Sequence, residues 1–269
     1  GVLVGFSLGL TGGGGSIFAV PSLVYGLGIA PREAVGISLA AVGTTALFGC
    51  LQRLRAGEVE VHTGLIFSGG GVLGAPVGSW LGGLLPGPVL LLSFSALMIL
   101  VATRMWLKAV RKPEESRAIR AASARIPIDE PGPVCRRDPE GKLRLTSRCA
   151  SLLVIVGLGT GVLSGMFGVG GGFVIVPALV FFSGMGIHRA VATSLLAITL
   201  VSASGVTSHL AAGRPLPLSV TGLFVLGGIV GMWLGTRIGR EISGPRLQKV
   251  FALAILAVAA FVVAKSLLP

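Results

Sequence analysis

In this chain of 269 residues, 52% are hydrophobic and 12% charged, against about a quarter charged in an ordinary soluble domain. That balance excludes a soluble globular protein and fits one built to sit in lipid. The net charge of +12 does not indicate nucleic acid, because 11 of the 22 Lys and Arg lie in one segment, 108–148, and most others flank apolar spans, as in cytoplasmic loops.

In chain order, a glycine-broken apolar segment (1–28, with its glycines at 12–15) precedes spans at about 34–52, 63–84 and 88–107. A polar segment rich in Arg, Pro and Glu follows over 109–148, and the periodicity there is too weak for a packed domain. A second broken segment, 149–187, leads to spans at about 190–210, 218–238 and 246–266. The reading is an all-α polytopic membrane protein with a first transmembrane repeat (1–108), a basic cytoplasmic linker (109–148) and a second transmembrane repeat (149–269). Gly stands first rather than Met, with neither a charged leader nor a cleavage site, so the chain is expected to begin inside a longer one. Cys50, Cys135 and Cys149 form no C-x-x-C pair or His/Cys cluster, and no metal or cofactor is expected.

The halves are homologous. A shift of 156 lays 11–39 on 167–195 without a gap: Pro21 meets Pro177, Gly14-Gly15 meet Gly170-Gly171, and Ser38-Leu39 meet Ser194-Leu195. One residue later, the glycines at 70, 74, 78 and 82 meet those at 227, 231, 235 and 239. The segment 149–187 is nearly twice the length of one crossing, so a hairpin of two helices meeting at the glycines accommodates it. With the linker inside the cell, a re-entrant hairpin also places Arg53, Arg55 and the cluster Arg237, Arg240, Arg246 and Lys249 inside, leaving Arg214 outside. Each half is then a glycine-broken hairpin plus three transmembrane helices, and the halves form an inverted repeat.

The glycines at 70–82 and 227–239 have the four-residue spacing of a helix–helix seam. Those at 12–15 and 168–172 are consecutive and make no stripe. They expose backbone, which hydrocarbon tolerates only under protein cover or beside a cavity. The helices expected next, 17–28 and 173–184, would present free N–H groups and a positive dipole end to an anion. No G-x-G-x-x-G or G-K-[ST] follows a strand, so a nucleotide loop is not indicated.

The pattern G-x-G-G-G-x4-P at Gly168, Gly170, Gly171, Gly172 and Pro177 resembles the sulfite exporter TauE/SafE-like family of membrane proteins. So do its degenerate copy at Gly12, Gly14, Gly15, Ser16 and Pro21, the duplicated halves and the mid-chain loop. Ser16 in place of the third glycine departs from the pattern. The resemblance implies movement of a small sulfur-containing anion such as sulfite, sulfoacetate, thiosulfate or an organosulfonate.

Polar residues within the spans are the remaining candidates. Ser38, Thr45 and Gln52 recur every seven residues on one face, and Ser194, Ser204 and Ser208 lie near the same face of the matching helix. They are read either as hydrogen bonds between helices or as lining beside the glycines. Arg53 aligns with His209, as anion-recruiting residues at opposite sides or as interfacial side chains. All ten acidic residues fall in loops, the linker or span ends, so neither an enzyme nor a proton relay of carboxylates is indicated. The expectation is export of a small sulfur-containing anion across the cytoplasmic membrane, driven by the membrane potential. Proton-coupled uptake and an anion channel are the alternatives, and a homodimer is left open.

Overall fold

The computed structural model describes residues 1–111, 147–239, 253, 256–262 and 265. Most of the expected linker, the cluster Arg240, Arg246 and Lys249, and most of the span 246–266 lie outside the described residues. The elements are α1 (Val2–Thr11), a 3-10 turn (Gly14–Phe18), α2 (Ala19–Leu27), α3 (Pro31–Arg55), α4 (Val61–Leu84) and α5 (Gly87–Arg111). After the linker come α6 (Ser147–Phe167), α7 (Gly172–Ser183), α8 (Ile187–Ala211) and α9 (Leu218–Gly239). No strand occurs among the described residues. Among the described residues, five helices are long and apolar enough to cross a membrane: α3, α4, α6, α8 and α9.

Local sequence sets the boundaries. Pro31 opens α3 at a position where its missing N–H costs nothing, with Glu33 in the first turn and Arg53 and Arg55 in the last, each complementing the helix dipole. The first limb of the second broken segment, α6, is a full-length helix of 21 residues, about 31 Å at 1.5 Å per residue. The second limb, α7, has only 12 residues. The hairpin is therefore unequal, a long helix out and a short one back. In the first half the helix after the glycines starts later than expected, because a 3-10 turn occupies Gly14–Phe18 before α2 begins at Ala19.

Packing exchanges helices between the halves. In the contact of α4 with α6, an added Cβ on Gly70, Gly74 or Gly78 would strike the backbone at Val154, Leu158 or Val162. From the other side, Gly157, Gly161 and Gly165 face Phe67, Gly71 and Ala75. The second contact, α1 with α9, repeats the arrangement: Gly1, Gly5 and Gly9 face Phe224, Gly228 and Met232, while Gly231 and Gly235 face Val2 and Phe6. Each seam thus joins the first helix of one half to the fourth helix of the other, backbone to backbone, as small residues four apart allow.

At the centre lie α3 and α8, the two most buried spans. Gly36 meets His209, Leu39 meets Gly205, Gly43 meets Ser202 and Gly49 meets Leu195. Sequence numbers rise along one helix as they fall along the other, so these repeat-equivalent helices run antiparallel. Large apolar side chains such as Leu3, Ile155, Leu218 and Leu223 are exposed on the outer faces, the surface a bilayer covers.

The two ends differ in charge. Pro31 packs near Gly87, Arg32 donates to Leu85 O, and Arg214 lies against Gly83, so the chain around 28–32, 83–87 and 212–217 gathers at one end. Glu60 pairs with Arg189 at the other end. There, Arg53, Arg55, Arg148, Arg189 and Arg237 collect at the ends of α3, α6, α8 and α9.

Candidate functional site

Both glycine clusters leave their helices through left-handed backbone. Gly12 (φ 73°) ends α1, and Gly168, Gly170 and Gly171 (φ 71°, 65° and 68°) link α6 to α7. An L side chain there costs about 1–2 kcal/mol before any clash. Space is equally short, because Gly13 and Gly172 touch backbone to backbone. The two turns therefore cross in the interior of the protein. Gly170 faces Val42 and Ile198, repeat-equivalent residues of α3 and α8.

The crossing is held by a reciprocal pair of bonds. Ser38 Oγ of α3 donates to Gly168 O at 2.5 Å, and Ser194 Oγ of α8 donates to Gly12 O at 2.5 Å. Both serines are fully buried. Each half's central helix thus fixes the other half's glycine turn, which would otherwise present a carbonyl to an apolar interior at considerable cost.

Beyond the carbonyls the turns are unlike each other. In the first half Ser16 Oγ donates to Gly13 O at 2.7 Å and closes the 3-10 turn on itself. The second-half turn has no such closure. Gly171 is the N-cap of α7, and no side chain caps that terminus, as none caps the helix starts of the first-half turn. Around it, Ser164 Cβ stands 3.5 Å from the Cβ position of Gly171, and Ser202 Oγ 3.4 Å from that of Gly170. Both serines are completely buried, and among the described residues neither hydroxyl has a hydrogen-bond partner. A helix N-terminus with two spare hydroxyl donors can receive negative charge. Gly170, Gly171 and Gly172 are thus brought together with Ser164 and Ser202, two residues the sequence analysis missed. Neither has a polar counterpart at the 156-residue offset, where Leu8 and Ala46 stand.

The other candidates separate. Thr45 is buried against Gly228 of α9, away from the crossing. Ser204 Oγ donates to Val72 O of α4 at 2.7 Å, a bond between helices. Gln52 and Ser208 are half-buried near the ends of α3 and α8. Of the series Ser38, Thr45 and Gln52, Ser38 bonds the second-half turn, which Val35 and Val42, three and four residues from it, also face. Arg53 and His209 lie near opposite ends. Arg53 is paired with Glu58 at 3.5 Å. His209 is fully buried against Gly36, and neither ring nitrogen has a partner among the described residues. No group of three or more metal-ligating side chains occurs among the described residues.

Relatives in sequence cover nearly the whole chain. Residues 1–262 match the family described as sulfite exporter TauE/SafE. A probable membrane transporter protein of Xylella fastidiosa (strain Temecula1) is 35% identical, over 99% of this chain and 93% of its own length. The probable membrane transporter protein YunE of Bacillus subtilis (strain 168) is 30% identical, over 90% of this chain and 86% of its own. YdhB of the same strain, also a probable membrane transporter protein, is 25% identical over 78% and 76%. No solved structure matches significantly. With a glycine crossing at its core and a matching family over nearly its full length, the chain belongs to the sulfite exporter TauE/SafE family and is a multi-pass membrane transporter.

Proposed function

We propose that the protein exports a small sulfur-containing anion, such as sulfite, sulfoacetate or a related organosulfonate, across the cytoplasmic membrane, driven by the membrane potential. The observation that carries this reading is the second-half turn: an uncapped helix start at the crossing of the halves, with two buried hydroxyls that have no hydrogen-bond partner among the described residues. Electrostatics supply the direction. Each charge moving down a negative-inside potential gains about 2.3 kcal/mol per 100 mV, and no acidic residue lies within a membrane span away from its ends to serve as a proton relay.

The reading includes an inverted repeat. It is supported by the antiparallel run of α3 and α8, equivalent helices at the centre. A twofold axis along the membrane normal would leave equivalent helices parallel, whereas one in the membrane plane reverses them. The end bearing Arg53, Arg55, Arg148, Arg189 and Arg237 is then cytoplasmic, and the end bearing Arg32 and Arg214 is external.

A second reading, proton-coupled uptake, draws on His209, whose buried and unpartnered imidazole is a titratable group inside the fold. One experiment separates the two. In proteoliposomes loaded with sulfite or an organosulfonate, efflux is expected to follow an imposed potential at fixed pH. Flux that ignores the potential and tracks a proton gradient would replace export with the His209 mechanism.

A further inference from the structure

The 156-residue offset makes the two ends of the molecule comparable position by position, and their charges are not alike. At the cytoplasmic end of the proposed arrangement, Arg53 Nη1 lies 3.5 Å from Glu58 Oε2, and Arg53 Nη2 donates to Gly9 O at 3.5 Å. At the other end the equivalents are His209 for Arg53, Arg214 for Glu58 and Gly165 for Gly9. The backbone is the same in both places, since Glu58 N donates to Arg53 O at 3.1 Å and Arg214 N to His209 O at 3.3 Å. An acid in one repeat is thus an arginine in the other, on matching backbone. At this position the first end pairs its arginine with an acid, whereas the second carries an arginine with no acid paired to it among the described residues.

That arginine has company. Arg32 and Arg214 line one cleft together with Val35, Ser79 and Gly165. Arg214 Nη1 donates to Ser79 O at 3.4 Å, and Arg32 Nη2 donates to Leu85 O at 2.9 Å. These single bonds to carbonyls leave most of the five N–H donors of each guanidinium for another acceptor. The ion pairs Arg53–Glu58 and Arg189–Glu60 both lie at the other end. Glu33, exposed beside Arg32 on the first turn of α3, is the nearest acid in sequence. The cleft itself measures about 10 Å³, room for roughly one water, so an anion would be met at its mouth. Its floor adjoins the second-half turn, because Val35 Cα lies 2.7 Å from the Cβ position of Gly168.

We infer that Arg32 and Arg214 form an oxyanion-binding vestibule at one end of the transport path, leading to the Gly168–Gly172 turn, and that the Arg53–Glu58 pair denies the opposite end an equivalent. Two guanidinium forks suit an anion with several oxygens around one centre, such as sulfite, sulfate or a sulfonate. The inference rests on the transport reading for its place in a pathway, but it stands or falls by binding.

The test is equilibrium binding of radiolabelled sulfite to the purified full-length protein, run beside sulfite flux in proteoliposomes. Arg32→Gln and Arg214→Gln are each expected to weaken binding about tenfold, the scale of a lost charge-assisted hydrogen bond. Arg214→Lys, which keeps the charge and loses the fork, should fall between, and Glu58→Gln, which frees Arg53 at the opposite end, should not weaken binding. Arg32 is exposed, so its variant folds whatever becomes of the half-buried Arg214. Parent-like binding by Arg32→Gln, or no sulfite binding by the parent, overturns the vestibule; parental flux would then leave the transport reading intact. Arginine-dependent binding without flux of any sulfur oxyanion overturns the transport reading and leaves the vestibule standing.

Discussion

At the scale of single residues, the glycines and serines of the crossing have separable roles. Gly170 sits at φ 65° with Val42 Cγ1 3.0 Å and Ile198 Cγ2 3.1 Å from its Cβ position. Gly170→Val forces a β-branched residue into left-handed backbone and drives it into both central helices. Transport is expected to be lost while the protein still inserts, measured as flux per amount of reconstituted protein. Normal flux would remove the turn from the path. Ser38→Ala acts differently, leaving Gly168 O buried without its donor at a cost of about 1–3 kcal/mol. Ser194→Ala should lower the unfolding free energy by a similar amount through Gly12 O. A drop for one serine and none for the other would show that only one turn depends on the opposite half.

At the scale of elements, the seams explain why the halves cannot come apart. Gly74 faces the Leu158 carbonyl with Val162 N 2.9 Å from its Cβ position, so any side chain separates α4 from α6. Gly74→Leu is expected to reduce folded, membrane-inserted protein severalfold, measured by detergent-solubilised monodisperse yield. Gly69, with open space at its Cβ position, is the matched control and should tolerate the same change. Folding of Gly74→Leu at parental yield would mean the seam does not need backbone contact.

Part of this was legible in the sequence and part was not. The stripe 70–82 could be read because its spacing is regular, but its partner could have been read too: Gly1, Gly5 and Gly9 stand at the 156-residue offset from Gly157, Gly161 and Gly165. That stripe lies in the glycine-broken apolar segments, where the consecutive glycines obscure its four-residue spacing. The bonds Ser38–Gly168 and Ser194–Gly12 join residues more than a hundred positions apart, and no local pattern encodes them. Thr45 lies off the turn for a geometric reason. Seven residues return a helix to nearly the same face, but they also advance it about 10 Å along the axis, past the turn and onto Gly228.

At the scale of the whole molecule, the proposed inverted arrangement makes a sharp prediction from two small residues. Ala56 and Ala212 are equivalent at the 156-residue offset, and each is an exposed alanine just after a central helix, α3 and α8. Neither has positive φ (−80° and −78°), so cysteine fits at both without strain. Because α3 and α8 run antiparallel, their last residues lie at opposite ends of the molecule. In intact cells, a membrane-impermeant thiol reagent should label Ala212→Cys and leave Ala56→Cys unlabelled until the membrane is opened, with the parent as background for its native cysteines. The charge asymmetry sets which of the two is outside, since Ala56 adjoins the arginine-rich end. Labelling of Ala56→Cys alone would reverse the orientation, and with it the direction in which the potential drives an anion. Labelling of both from outside would mean that the halves are not inverted, and the antiparallel central pair would then have to lie across the membrane in some other way.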